Sequence, residues 1–126
     1  MTGPARRWRV RLTAAAEADF RDIIGWSAEQ FGDARARAYG ETIALALETL
    51  TDGPGVPGVK ARDEILPGVQ TLHAARRGRR ARHFILFRVA KAEGGDTIEI
   101  LRILHDAMDL ARHLPSEEPP PPNNET

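Results

Sequence analysis

The chain carries four histidines, at positions 73, 83, 105 and 113, a single tyrosine at 39, and arginines that recur inside otherwise apolar runs. Phosphodiester cleavage needs a base for the attacking hydroxyl, an acid for the departing oxygen, and cations for the charge that builds on phosphate. His73, His83, His105 and Tyr39 could exchange those protons, and Arg88 and Arg102 could clamp the charge. Tyr39, however, continues an apolar line through Ile43, Leu47 and Leu50, so its first reading is a packing residue. By strand alternation Arg88 shares a face with Phe84 and Leu86, and Arg102 with Ile98, Ile100 and Leu104. A guanidinium in such a row either pairs with an acid, here Glu64, Glu99 or Asp109, and fixes strand register, or is held ready for a carboxylate from outside. His105 falls where ILRIL gives way to a turn, so its ring can cap that turn or meet Asp106 or Asp109. Asp109 is placed to cap a last helical turn, with Arg112 and His113 at its C-terminal end, where cations are favoured.

A different chemistry is offered by RRGRRAR, where Arg76, Arg77, Arg79, Arg80 and Arg82 crowd around Gly78. Such density attracts phosphate and makes binding salt-sensitive, but no aromatic residue lies in the loop to stack on a base. Backbone contact is the most it could supply; a solvated hairpin tip is the plainer reading. No metal site is expected, since the histidines lack ligand spacing and cysteine is absent. No cofactor is expected either: PGVPG is not followed by the Lys and helix of a phosphate-binding loop.

The elements that must hold these residues follow from periodicity. WRVRL alternates Trp8, Val10 and Leu12 with Arg9 and Arg11, a strand with one buried and one cationic face. Thr13 is placed to cap a first helix whose core stripe is Phe20, Ile23, Ile24, Ser27 and Phe31, closed by Gly32. Asp33 is expected to cap a second helix, with Ala36, Gly40 and Ala46 permitting close approach of a neighbour. So short a link makes the pair an antiparallel hairpin. TDGPGVPGVKARDEILPG is too rich in Pro and Gly to hold regular structure for long and is the principal loop. VQTLHA, HFILFRVA and TIEILRIL then read as three strands, the second apolar on both faces and therefore central, the last two joined by a turn at Gly94-Gly95. DLARHL gives a short C-terminal helical turn. The order predicts an α+β domain: an N-terminal strand, a helical hairpin, then a three-stranded antiparallel meander, with exposed Arg and His gathering on the sheet face away from the helices.

At 126 residues the chain has room for one domain, here residues 1–115; residues 116–126, polar and Pro-rich, are expected to be disordered. No run is long and apolar enough to cross a membrane, the first residues do not read as a secretory signal, and the lack of cysteine fits a cytoplasmic protein. Net charge is zero, but the tail holds Glu117, Glu118 and Glu125 without a cation, so residues 1–115 carry +3. All but Lys60 and Lys91 of the 18 cations are arginine, which suits an anionic partner.

Leu12, Ala16, Asp19, Phe20, Ile23 and Trp26 along the first helix, Phe87-Arg88-Val89 in the central strand, and the closing run from Ile100 to Leu114 together resemble the ParE-type toxins of the RelE/ParE superfamily of toxin–antitoxin systems. The resemblance implies a toxin domain of that fold that arrests growth by binding DNA gyrase rather than by catalysis, stabilises plasmids, and is neutralised by a ParD-like antitoxin, with DNA reached only through the antitoxin complex. It also implies a toxicity surface at Arg88, Arg102, His105, Asp109, Arg112 and His113. Two amphipathic helices on one sheet leave an apolar flank for a partner helix, and Phe20, Ile24, Phe31 and Arg88 are the residues expected to meet the antitoxin. Two other readings stand beside this one. The first is a RelE-like ribosome-dependent mRNA endonuclease using Arg88, Arg102 and His105, although the Lys-rich site and C-terminal Tyr usual there are missing. The second is a non-toxic member serving only in a repressor complex.

Overall fold

The computed structural model describes residues 8–76, 78–90 and 96–107. The Gly94-Gly95 turn, the closing helical turn, the Pro-rich tail, and Arg77, Asp109, Arg112 and His113 lie outside them. Strand β1 (Arg9–Leu12) leads into helices α1 (Ala14–Phe31) and α2 (Asp33–Thr49), a short 3-10 turn (Leu50–Asp52), and strands β2 (Lys60–Ala61), β3 (Gln70–His73), β4 (His83–Ala90) and β5 (Thr97–His105). They form one five-stranded sheet in the order β1-β5-β4-β3-β2, with β1 parallel to β5 and every other pair antiparallel. This is the expected α+β arrangement, and β4 is its middle strand.

The helices cover one face. Ile85 and Phe87 of β4, Ile98, Ile100 and Ile103 of β5, and Leu72 of β3 pack with Ala16, Ile43, Ala46 and Leu50 from the helical side. Each fully buried aliphatic side chain here contributes about 1.5–3 kcal/mol. Gly40 lets the hairpin close, because a Cβ there would sit 3.1 Å from Ile24 Cδ1. Gly53, at φ +105°, brings its backbone against the Trp8 indole, where a Cβ would lie 2.9 Å from Nε1. The other face is covered in part by residues 62–69: Arg62 lies over the Phe84 ring and donates to Thr71 Oγ1.

Thr13 caps α1 as expected, accepting from Ala16 N–H, and it also donates to the carbonyl of Ile100, tying the helix start to β5. Four sequence expectations are corrected. Asp33 does not cap α2; Gly32, at φ +92°, closes α1 and opens α2, leaving Asp33 as the first helical residue. The principal loop holds no long element, but the two-residue strand β2 within it adds a fifth strand to the four expected. Phe31, placed on the core stripe by helical spacing, is 54% exposed because α1 outruns the sheet at that end. Finally, Leu86 pairs with Arg102 and Phe87 with Ile100, so Leu101 is an extra residue bulged out of β5. Alternation reverses there, which separates Arg102 from the face of Ile98 and Ile100.

Candidate functional site

Beyond Ile100, β5 outruns the short strand β1, and its edge is met by α1 instead. Asp19 fills that gap. Its carboxylate accepts from Arg102 Nε at 2.7 Å, from the same guanidinium's Nη2 at 2.8 Å, and from Ile103 N–H at 2.9 Å. Arg102 therefore pairs with Asp19, an acid that sequence reasoning did not offer. Arg88 takes one of those three: its Nε donates to Glu99 Oε1 at 2.9 Å. Along β5 the rows of Glu99 and His105 are six residues apart, roughly 20 Å. Arg88 and His105 thus belong to different ends of the sheet.

The end that holds His105 carries a dense polar cluster. His83 and His105 are cross-strand partners with ring centroids 5.3 Å apart. Tyr39 reaches down from α2, its hydroxyl 2.7 Å from His83 Nδ1, and Arg82 N–H donates to the same oxygen at 2.9 Å. With Arg82 N–H already donating to the phenol oxygen, a Tyr39 proton directed at Nδ1 would go with the neutral Nε2–H tautomer of His83. His105 Nδ1 accepts from Ala107 N–H and caps the turn. His73 Nδ1 accepts from Ala75 N–H, so its Nε2–H faces Asp106 at 3.0 Å. Asp106 also takes Arg82 in a bidentate pair.

The electrostatics follow from this wiring. Burial, helped by the nearby His105, pushes His83 down to about 4. Burial raises Tyr39 above its ordinary value. Hydrogen bonds from Arg82 and then His73 hold Asp106 at about 2. At neutral pH the cluster is a phenol bonded to a neutral imidazole, with a carboxylate beside them that is bonded to Arg82 and His73. A base with a pKa near 4 and a phenol with a raised one are both poorly matched to proton transfer at pH 7.

A stability prediction follows. The unfolded ring titrates near 6.5 and the folded one near 4, so between those values the unfolded chain binds more protons and stability falls as pH drops. Solvent access to the ring reduces the effect to about 1–2 kcal/mol, or a Tm lower by about 4–8 °C at pH 4 than at pH 7. His83→Asn, which keeps an acceptor for Tyr39, is expected to flatten that part of the pH–Tm curve. An unchanged slope in the variant would remove His83 as its source. Asp106 adds its own loss below about pH 4, where the unfolded carboxylate protonates first.

Over this cluster lies an apolar groove of about 590 Å³ between the helical hairpin and the sheet end. Ile23, Trp26 and Phe31 of α1 form one wall, Arg35 and Tyr39 of α2 the other, and His83 and His105 the floor. Trp26 is 57% exposed and meets Phe31 edge to face at 5.8 Å, while Arg35 lies over the Phe31 ring. Among the residues expected to meet a partner helix, Phe31 lines this groove. Phe20 and Ile24 turn toward Gly40 of α2, and Arg88 is on the opposite sheet face beside Glu99. Trp26 and Tyr39 were missed as groove residues; the signal was an indole off the core stripe, next to Phe31 in space.

The arginine loop is not a free cationic tip. Arg76 donates to the carbonyl of Pro57, Arg79 to Thr42 Oγ1 and the carbonyl of Ala38, and Arg82 to Asp106, while Arg80 is exposed. Among the described residues no group of His, Asp or Glu is arranged to hold a metal, and no helix is long and apolar enough to cross a membrane.

The fold and most of the chain have clear relatives. The family model described as the ParE toxin of the type II toxin–antitoxin system parDE matches residues 10–110. The chain belongs to the ParE toxin family. Toxin ParE1 of Mycobacterium tuberculosis is 30% identical over 106 residues, which cover 84% of this chain and 97% of that one. Toxin ParE of Escherichia coli is 33% identical over 103 residues, covering 82% and 89%. Among solved structures, the chromosomal ParDE toxin–antitoxin system from P. aeruginosa superposes with a TM-score of 0.62 at 26% identity, covering 78% of this chain and 95% of its own. The chain is thus a ParE-family toxin of a type II toxin–antitoxin system.

Proposed function

We propose that this ParE-family chain arrests growth in the cytoplasm by binding DNA gyrase, and that a ParD-like antitoxin silences it by seating an amphipathic segment in the groove between hairpin and sheet. The observation that carries the antitoxin seat is the groove itself: an apolar trough with Trp26 and Phe31 exposed on its wall and floor histidines that already have partners within the fold, His83 on Tyr39 and His105 on Ala107 N–H. Large aromatic side chains in such a setting supply most of the binding energy at protein interfaces. Inhibition by binding rather than RNA cleavage is supported by the dispersal of the candidate catalytic residues. Arg88 is paired with Glu99, Arg102 with Asp19, and His105 is spent on the turn.

The test is inducible expression of the chain with and without its neighbouring antitoxin, followed by gyrase supercoiling, cleavage-complex and mRNA-integrity assays. Growth arrest with accumulated gyrase–DNA breaks and intact mRNA, reversed by the antitoxin, is the expected result. Cut mRNA with normal gyrase would overturn the target and restore the endonuclease reading. Harmless expression would favour a member that acts only in a repressor complex.

A further inference from the structure

The cationic face anticipated from WRVRL has no part in the groove or its histidine floor. Val10 and Leu12 pack toward the helices, so Arg9 and Arg11 stand on the other side of β1. Register places Arg11 opposite Glu99 of β5, and Glu99 opposite Arg88 of β4. One carboxylate holds both guanidiniums, Arg11 Nη2 at 2.6 Å on Oε2 and Arg88 Nε at 2.9 Å on Oε1. The Glu99 side chain is 14% exposed, against 63% for Arg11 and 44% for Arg88. The negative charge is sunk beneath two guanidiniums that each have donors left over. Exposed Arg9, one row away opposite Thr97, adds a third cation, and Lys60, the register partner of Thr71 on the same face, a fourth.

We propose that this arginine face of the sheet is a nucleic-acid contact, taking the phosphate backbone of duplex DNA without reading sequence. Rigid guanidiniums, pre-set by a shielded acid, match phosphate oxygens better than mobile side chains would. The sheet spaces them as a shallow patch, about 7 Å from Arg9 to Arg11 along β1 and about 10 Å from Arg11 to Arg88 across the strands. None of the aromatic groups that stack on unpaired bases lies in these rows, which favours backbone over base and duplex over single strand. The site differs from the expectation that DNA is reached only through the antitoxin, and from the arginine loop, whose cations are largely bonded within the fold. It does not depend on gyrase being the target.

Fluorescence anisotropy of a mixed-sequence 20-base-pair duplex with the purified full chain, across a salt series, tests it. Arg9→Ala/Arg11→Ala is expected to weaken low-salt binding about tenfold and to make the slope of log K against log salt shallower by about 2. Glu99→Gln, which uncovers positive charge, is expected to tighten binding several-fold. A protein whose triad serves only strand register would show neither change, and an unaltered slope in the double variant overturns the proposal. So would a larger loss in Arg80→Ala, which would return the contact to the loop. Poly-glutamate displacing the duplex at equal charge concentration would reassign the face to an acidic protein partner.

Discussion

Asp19→Ala is expected to be among the most damaging single substitutions outside the apolar core, costing about 3 kcal/mol and lowering Tm by about 10 °C. The carboxylate does three things at once: it neutralises Arg102, satisfies Ile103 N–H on an edge that β1 is too short to cover, and joins α1 to β5. With side-chain exposures of 13% for Asp19 and 26% for Arg102, the pair is sheltered enough that losing the carboxylate removes a bidentate partner from a largely desolvated guanidinium. Arg102→Met in the same chain is expected to recover part of the loss, because an apolar side chain in that slot no longer calls for the lost carboxylate. Thermal melts of the two single variants and the double variant measure the coupling. If Asp19→Ala melts within a degree or two of the parent, the ion pair is a surface ornament and the edge is held by Thr13 alone.

That ion pair also marks where the sequence stopped being legible. Hydrophobic period and turn residues were enough for the strand, the hairpin and the meander, because those signals are local: Thr13 at its cap, Gly32 between helices, an apolar run in β4. Asp19 lies 83 positions from Arg102, and no local pattern links them. The bulge at Leu101 compounded the difficulty, since a single inserted residue reverses which face every later side chain takes. The histidine floor was hidden for a related reason. His83 and His105 were each visible as chemistry, but their pairing depends on the register of β4 on β5, and Tyr39 joins them from a third element. Its position on the apolar line of α2 makes it a packing residue, and the same side chain delivers the hydroxyl that meets His83 Nδ1.

Trp26→Glu/Phe31→Glu is expected to separate antitoxin binding from folding. Both side chains are more than half exposed, so the free toxin should melt close to the parent. In the proposed complex they become buried anchors, and aromatic anchors of that kind each cost about 2 kcal/mol or more when removed; two carboxylates facing an apolar segment add desolvation on top. Affinity for the cognate antitoxin is therefore expected to fall at least about a hundredfold, measured by calorimetry or surface plasmon resonance. In cells the variant should arrest growth even with the antitoxin co-expressed, because only the silencing contact is lost. The opposite phenotype would be equally decisive. A variant that binds antitoxin normally but no longer arrests growth would make the groove the toxic face and move the antitoxin to another surface. Asp19→Ala supplies the control that keeps the two effects apart: it weakens the fold beneath the groove without touching its wall, so it should lower toxicity and complex yield together rather than one without the other.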